Sequence, residues 1–420
     1  MMAWAEADLV GPDGQDWRVP VSELESRQNM MALLLDDAEI PGVLIQNPVD
    51  LYYFAGGRQN GYLWIPSASS AGAPVQFVRR SIRRAKWDAG GDDAPHEVVA
   101  SPRMANLAEE LLSRGCKKDN GAPWLQYSSA PASLINYFSS SLSPLGASGD
   151  CSSIVHGMRQ KKSLWEIEQM RQGADIQLTM FEAVAEVGRE GVTELELVAA
   201  AEAVSRAAGF AGNVQLRRYP MQCDRGVIVA GRAGGIPSFF DSAVGGTGPH
   251  PMASMGAGFN RVNVGEPVLV DLLHVHRGYT VDMTRMFSVG QLSDVWVERL
   301  EDMLTVKEVV VDILDQGKTC AEAWHEGYSL AVELGYENNL MGMKPDQSRF
   351  LGHSLGLELD ESPVVAPGFD QPLSVGGTMA IEPKVVYGEG SIGSEDTWVM
   401  SEEGMETISA DGAFPWLHEW

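Results

Sequence analysis

Four carboxylates and one imidazole, Asp271, Asp282, His353, Glu382 and Glu395, carry the strongest chemistry in this 420-residue sequence. Val268-Leu-Val-Asp271 reads as a buried strand ending in a carboxylate. It runs through Leu272–Tyr279 into Thr280-Val-Asp282-Met-Thr-Arg285. A hairpin turning at His276-Arg277 puts Asp271 directly opposite Asp282, with Cβ atoms about 5 Å apart. Bare carboxylates that close repel, and one takes up a proton unless a cation lies between them. Nearer the C-terminus, Ala380-Ile-Glu382-Pro and Ser394-Glu395-Asp396 flank a turn at Gly388-Glu389, which sets Glu382 opposite Glu395. His353, in Gly352-His-Ser-Leu-Gly356, completes the set. Taken singly, an Asp at a strand end is usually a turn cap and a lone His a hydrogen-bonded core residue. The combination argues for metal. Four carboxylates and an imidazole suit Mn²⁺, Co²⁺, Fe²⁺ or Zn²⁺, and bridging carboxylates suit two ions about 3.5–4 Å apart. Two divalent ions are expected, Mn²⁺ or Co²⁺ first. His274 and His276 alternate onto the face opposite Asp271, which makes them structural or exposed.

The elements that must position these residues fall into two segments. Up to about residue 150, short apolar runs read as strands: Gly42–Gln46, Leu51–Phe54, Gly61–Ile65 and Val75–Val78. Helices are expected near Glu23–Ala38 and Ala105–Arg114. A Ser-, Gly- and Pro-rich stretch, Ser139 to Ser153, reads as a connector, which places the domain boundary between 153 and 154. Beyond it, Ser163-Leu-Trp-Glu166, Thr193-Glu-Leu-Glu196 and Thr319-Cys-Ala-Glu322 fit the helix capping box. Gly191-Val-Thr-x-x-Glu and Gly317-Lys-Thr-x-x-Glu open helices that stop near Gly209 and Gly335, at the same interval. Each follows a longer helix, Ser163–Gly188 and Ser293–Gln316. A duplicated helix-helix-strand unit, and so a pseudo-symmetric α+β domain, is the expectation.

The composition bounds the function. A net charge of -26 argues against nucleic acid and anionic membranes as partners. No run approaches the ~18 apolar residues of a membrane span. The N-terminal stretch lacks the basic start and apolar core of a signal peptide, so a cytoplasmic location is expected. Cys116, Cys151, Cys223 and Cys320 form no close pair, which points to free thiols.

The segments Asp271-x(10)-Asp282-Met-Thr-Arg, Gly-His353-Ser-Leu-Gly, Ile-Glu382-Pro and Glu395-Asp resemble the creatinase/methionine aminopeptidase ("pita-bread", M24) family. They look closest to its Xaa-Pro peptidase branch, prolidase and aminopeptidase P. Arg159–Glu168, Gly191-Val-Thr-Glu and Val43–Gly56 resemble the same family, so the likeness spans nearly the whole chain. It implies an α+β, pseudo-two-fold C-terminal domain (154–420) with a smaller α/β N-terminal domain (1–153), and a homodimer. It implies that Asp271 chelates one metal, that His353 and Glu382 hold the other, and that Asp282 and Glu395 bridge. Glu382 would shuttle a proton, and His250, in Gly248-Pro-His-Pro251, would be a catalytic or substrate-binding histidine.

Three positions depart from the family pattern. Asp360 stands where a second histidine is usual, which makes it a candidate substrate contact. Gly393 stands where prolidases tend to carry an arginine that holds the substrate carboxylate. Leu273 stands where glycine is frequent. Losing a cation and gaining an anion leaves three readings open: an Xaa-Pro-type aminopeptidase or dipeptidase acting on small peptides; a hydrolase or lyase acting on a small amidine, amide or sulfonium metabolite; and a binding protein with a vestigial site.

Overall fold

The computed structural model describes residues 4–117, 121–218, 222–223, 226–409 and 412–420. The chain divides into two compact units, Met1–Met158 and Arg159–Trp420. The division falls five residues beyond the expected 153/154 boundary, inside the helix Ser152–Arg159. Among the described residues no helix is long and apolar enough to cross a membrane.

In the first unit the strands are β1 (Gly42–Ile45), β2 (Gly61–Pro66), β3 (Val75–Val78), β4 (Glu97–Ala100) and β5 (Trp124–Leu125). They form one mixed sheet in the order β4-β3-β2-β1-β5. Its helices are α1 (Val21–Asp37), α2 (Pro48–Ala55), α3 (Ile82–Asp88), α4 (Leu107–Ser113), α5 (Ala132–Leu142) and α6 (Ser152–Arg159). Two expectations fail here. Leu51–Phe54 is helical, not a strand, because Asn47 accepts from the Val49 N–H and Pro48 stands in the first turn. An apolar run of four cannot by itself separate strand from buried helix. The stretch from Ser139 is not all connector, since α5 continues to Leu142.

The second unit is built twice over. Helices α7 (Leu164–Val187) and α8 (Glu194–Ala207) precede a sheet of order β18-β10-β9-β8. Those strands are β8 (Gly226–Ala230), β9 (Val268–His276), β10 (Tyr279–Ser288) and β18 (Leu417–Glu419), while β6 (Val214–Gln215) and β7 (Gln222–Cys223) pair separately. Helices α9 (Asp294–Asp315) and α10 (Cys320–Glu333) precede the second sheet, of order β12-β11-β13-β16-β17. It contains β11 (Gly352–Ser354), β12 (Glu361–Val365), β13 (Thr378–Ile381), β16 (Asp396–Ser401) and β17 (Gly404–Thr407). The hairpin β14 (Lys384–Tyr387) and β15 (Gly390–Gly393) extends from it. Helices α8 and α10 have the same length, 14 residues. The capping boxes at Ser163, Thr193 and Thr319 are all formed. The duplication read from the sequence is therefore present in the fold.

The two hairpins differ in how well their registers were foreseen. Glu382 and Glu395 do flank one continuous register: Ile381 pairs with Asp396 on one side and Lys384 with Gly393 on the other. The β9–β10 hairpin is shifted from expectation. His276 pairs with Tyr279, so the turn is Arg277-Gly278, with φ of 48° and 96°. Two positive φ values describe the tight turn whose twist suits a hairpin, and glycine adopts one of them freely. Asp271 consequently faces Thr284, and Asp282 faces Leu273. The two aspartates are diagonal neighbours on one face, with roughly 7 Å between Cα atoms rather than a direct opposition.

A buried ionic cluster fixes the segment that carries His353. The Arg159 guanidinium donates to Glu358 at 2.7 Å and to Glu361 at 2.5 Å, and Lys162 donates to Glu361 at 2.9 Å. Burial alone would raise the Glu361 carboxyl; Lys162 and Arg159 outweigh it and hold it down to about 2. A depressed carboxyl contributes stability that is present above its ordinary value of 4.5 and lost as pH falls toward about 2. Glu361→Gln should cost about 3 kcal/mol or more at neutral pH, by removing the carboxylate that pairs buried Lys162 and leaving Arg159 with Glu358 alone of the two glutamates. Urea unfolding should show the gap to wild type narrowing between pH 4.5 and pH 2. A gap independent of pH would remove the ion pairs from the account.

Candidate metal centre

The five expected residues do converge. β9 and β10 supply Asp271 and Asp282, β11 supplies His353, and the β13–β16 register delivers Glu382 and Glu395. Glu395 is pinned at both ends: its backbone pairs with Thr284, and the Thr284 hydroxyl donates to Oε2 at 2.8 Å. The Thr397 hydroxyl accepts from the Asp282 N–H and donates to its carbonyl, which locks the two sheets at this point. Next along the chain, Asp396 accepts from Arg285 and Lys307, each at 2.8 Å, and both cations lie over the Trp416 ring. Buried charge in this layer is paired.

At the centre lies a residue that the sequence reading missed. The Lys384 ammonium is 2.7 Å from Glu382 Oε2, 2.7 Å from Glu395 Oε2 and 3.3 Å from Asp271 Oδ2. Its side chain is 2% exposed. The signal was available, because Glu382-Pro383-Lys384 spans two strand positions and so puts both side chains on one face. Gly393 belongs to the same feature. It pairs across the hairpin with Lys384, and a Cβ at 393 would lie 2.7 Å from both Lys384 Cα and Cγ. That Cβ would also lie 2.5 Å from the Pro383 carbonyl oxygen, so the backbone and the lysine stem together fill the room that a side chain at 393 would need.

Charge is unevenly met. At Glu382, burial favours the neutral acid, but Lys384 and His353 outweigh it and hold the carboxyl down to about 2. His353 Nε2 is 3.4 Å from Glu382 Oε1. At Glu395, burial and then the Glu382 charge push the carboxyl up to about 8 despite Lys384. Asp282 is raised well above the carboxylate range, by burial first and then by Glu395 and Asp271. Asp282 Oδ1 and Glu395 Oε1 are buried without a hydrogen-bond partner. A ligand atom from each, with one from His353, lies within 4.8 Å of the others. Two buried carboxylate oxygens that lack partners, with an imidazole close to both residues, fit a divalent cation.

The site opens into a cavity of about 360 Å³ lined by Asp271, Asp282, His353 and Glu382 on one side. That size suits a small ligand. Leu273 adds apolar wall, together with Phe240 and Phe350. Asp360 also lines it, but its carboxylate accepts from the Arg217 and Arg218 N–H groups and from Arg218 Nε. Arg218, another residue the sequence reading passed over, therefore brings a cation to the wall beside that anion. His250 is elsewhere. It is an exposed loop residue, bridged to Ala253, and is not among the residues lining the cavity. His274 is buried against the Ser205 hydroxyl at 2.8 Å, which makes it structural, and His276 is buried rather than exposed.

The interdependence of Lys384 and Gly393 can be measured. Gly393→Ala should destabilise the protein by about 1–3 kcal/mol. Lys384→Gly should relieve part of that loss by removing the Cγ contact, giving a favourable coupling in a double-mutant cycle read by urea melts. Strict additivity would show that the two positions do not compete for space.

Known proteins resemble this chain in sequence and in fold. The model of "Metallopeptidase family M24" matches residues 168–402, more than half of the chain. An "Xaa-Pro dipeptidase" of Pyrococcus furiosus is 22% identical over 92% of this chain and 98% of its own length. One of Lactobacillus delbrueckii subsp. lactis is 25% identical over 62% of this chain, a match that spans 63% of that protein. The solved structure of an Xaa-Pro dipeptidase from Bacillus anthracis superposes with a TM-score of 0.74 at 21% identity, covering 95% of this chain and 100% of that one. With the pita-bread fold and a family model that matches more than half of its length, the chain belongs to metallopeptidase family M24.

Proposed function

We propose that this protein hydrolyses small peptides or peptide-like amides with the help of a divalent cation held by Asp282, His353 and Glu395. The observation that carries the reading is the pair of unpartnered buried oxygens, Asp282 Oδ1 and Glu395 Oε1, beside His353 at the base of a ligand-sized cavity. A bound divalent cation supplies Lewis acidity toward an amide carbonyl. Glu382 faces the cavity as an ionised carboxylate and is the group placed to accept and return a proton. The apolar wall would exclude water around the scissile bond. Arg218, at the cavity rim, offers a guanidinium to a substrate carboxylate in place of the arginine absent at 393. Proline-containing dipeptides are the leading substrates, as in the relatives' names. Mn²⁺ or Co²⁺ as the ion, a cytoplasmic location and a homodimer belong to the same proposal. His250 has no part in it.

A second reading draws on the acidic part of the wall. Asp241 and Asp360 flank Arg218, and together they favour a substrate that presents a cationic or neutral group there. A small amidine or amide metabolite would satisfy that charge.

With Mn²⁺ or Co²⁺ added, the purified protein should hydrolyse Xaa-Pro dipeptides. His353→Ala and Asp282→Asn should each lower kcat/KM by about 100-fold, or ~2.7 kcal/mol of barrier. Arg218→Gln should raise KM about tenfold for substrates with a free carboxylate and leave amidated ones unchanged. An inert peptide panel despite bound metal would favour the metabolite reading. Full turnover by His353→Ala would end the metal-hydrolase proposal.

A further inference from the structure

We propose that the Lys384 ammonium takes the place of one of two family metal ions, so that this site holds a single divalent cation. The inference rests on the hydrolase reading above, in which Asp282, His353 and Glu395 bind metal.

The argument is first one of space. Two bridged ions would need one of them between Asp271 and Glu395, at about 2.0–2.2 Å from their oxygens. Lys384 Nζ already lies between those two carboxylates, 3.3 Å from one and 2.7 Å from the other. A second ion there would sit against an ammonium of like charge. The lysine has no easy retreat. Its backbone is held in the β14–β15 ladder opposite Gly393, and its side chain is almost wholly buried. Its three N–H donors match three acceptors, Asp271, Glu382 and Glu395. Drawing it out would strand a buried charge and leave those carboxylates to repel one another.

The argument is also one of what is left unmet. Asp282 Oδ1 and Glu395 Oε1 lack partners, and their residues group with His353, one ligand atom from each lying within 4.8 Å of the others. Among the described residues no carboxylate oxygen of Asp271 is buried without a partner. Among the described residues the buried carboxylate oxygens without a partner in this cluster are therefore those of Asp282 and Glu395, away from the place that the ammonium fills. Asp271 becomes a positioning residue that holds the ammonium, with Glu382 shared between lysine and histidine. Gly393 fits the same account, since a side chain there would collide with the lysine stem.

Metal content decides the matter without reference to turnover. Full-length protein stripped with chelator, reloaded with excess Mn²⁺ and desalted should carry one equivalent per chain by elemental analysis. Its electron paramagnetic resonance spectrum should show isolated Mn²⁺, without the exchange coupling of a close pair. Asp271→Asn should still carry one equivalent, whereas Lys384→Met, similar in volume and without the charge, should carry two coupled ions. Two equivalents in the wild type would overturn the inference and leave the hydrolase reading standing. No bound metal in any form would overturn both. One equivalent in both wild type and Lys384→Met would overturn the lysine's role as the substitute. If Lys384→Met fails to fold, the wild-type and Asp271→Asn counts still decide between one ion and two.

Discussion

The organisation of the catalytic half follows from mutual repulsion among four carboxylates packed beneath one cavity. Carboxylates in a low-dielectric interior cannot all stay ionised without cations among them. The chain supplies one cation covalently, Lys384, and the imidazole of His353 lies close to Glu382. Where both reach, at Glu382, the carboxyl is held down to about 2. At Glu395, burial and then the charges of Glu382 and Asp271 outweigh the ammonium, and the carboxyl is pushed up to about 8. The same lysine nitrogen lies 2.7 Å from each. Distance to Lys384 therefore does not explain the difference; the surrounding charges do. Asp282 and Glu395 are the carboxyls whose ionisation is least compensated by the chain's own cations, and that is where a divalent cation gains most.

Such a cluster would relax apart if its backbone were free to move. It is held by ladders on both sides. Each half of the duplicated domain contributes to it, β9 and β10 from the first and β11, β13 and β16 from the second. Thr284 and Thr397 stitch the halves together through side-chain and backbone bonds at Glu395 and Asp282. Behind them Arg285 and Lys307 neutralise Asp396, the residue next to Glu395. A layer of paired charge thus backs a layer of incompletely paired charge, which keeps the functional carboxylates from borrowing a neighbour's cation.

Much of this was legible before any coordinates. Capping boxes are local, and Ser163, Thr193 and Thr319 each carry the whole signal within four residues, so the helices and the duplication followed from the sequence. The Gly388-Glu389 turn has a clear punctuation and its register held. The β9–β10 hairpin was misread by one residue in its turn because His276-Arg277-Gly278 offers two adjacent two-residue choices. Only the positive φ of Arg277, an unusual residue for it, selects the second. Leu51–Phe54 was misread because its apolar run is too short to show a period, while Asn47-Pro48 just upstream held the helix signal. Lys384 was missed for a different reason. Attention to metal-ligating residue types passes over a cation, although the alternation that placed Glu382 places Lys384 beside it.

Lys384 also changes how the departure at Gly393 is to be understood. Taken alone, a glycine where an arginine is usual reads as the loss of a substrate anchor. Across the hairpin, however, Gly393 is the partner of Lys384, and the stem of the lysine occupies the space beside it. The positive charge lies on the opposite strand, directed inward to the carboxylates. The rim of the cavity then depends on Arg218, whose guanidinium is shared with Asp360 and Asp241 and is largely exposed. An arginine so placed can exchange a protein carboxylate for a substrate carboxylate at small net cost, because an exposed ion pair contributes about 0–1 kcal/mol. Charge needed for structure is buried and fixed, and charge available to a ligand is exposed and exchangeable. Each of the two sequence departures thus accompanies a cation: Asp360 holds the exposed Arg218, and Gly393 pairs across the hairpin with the buried Lys384.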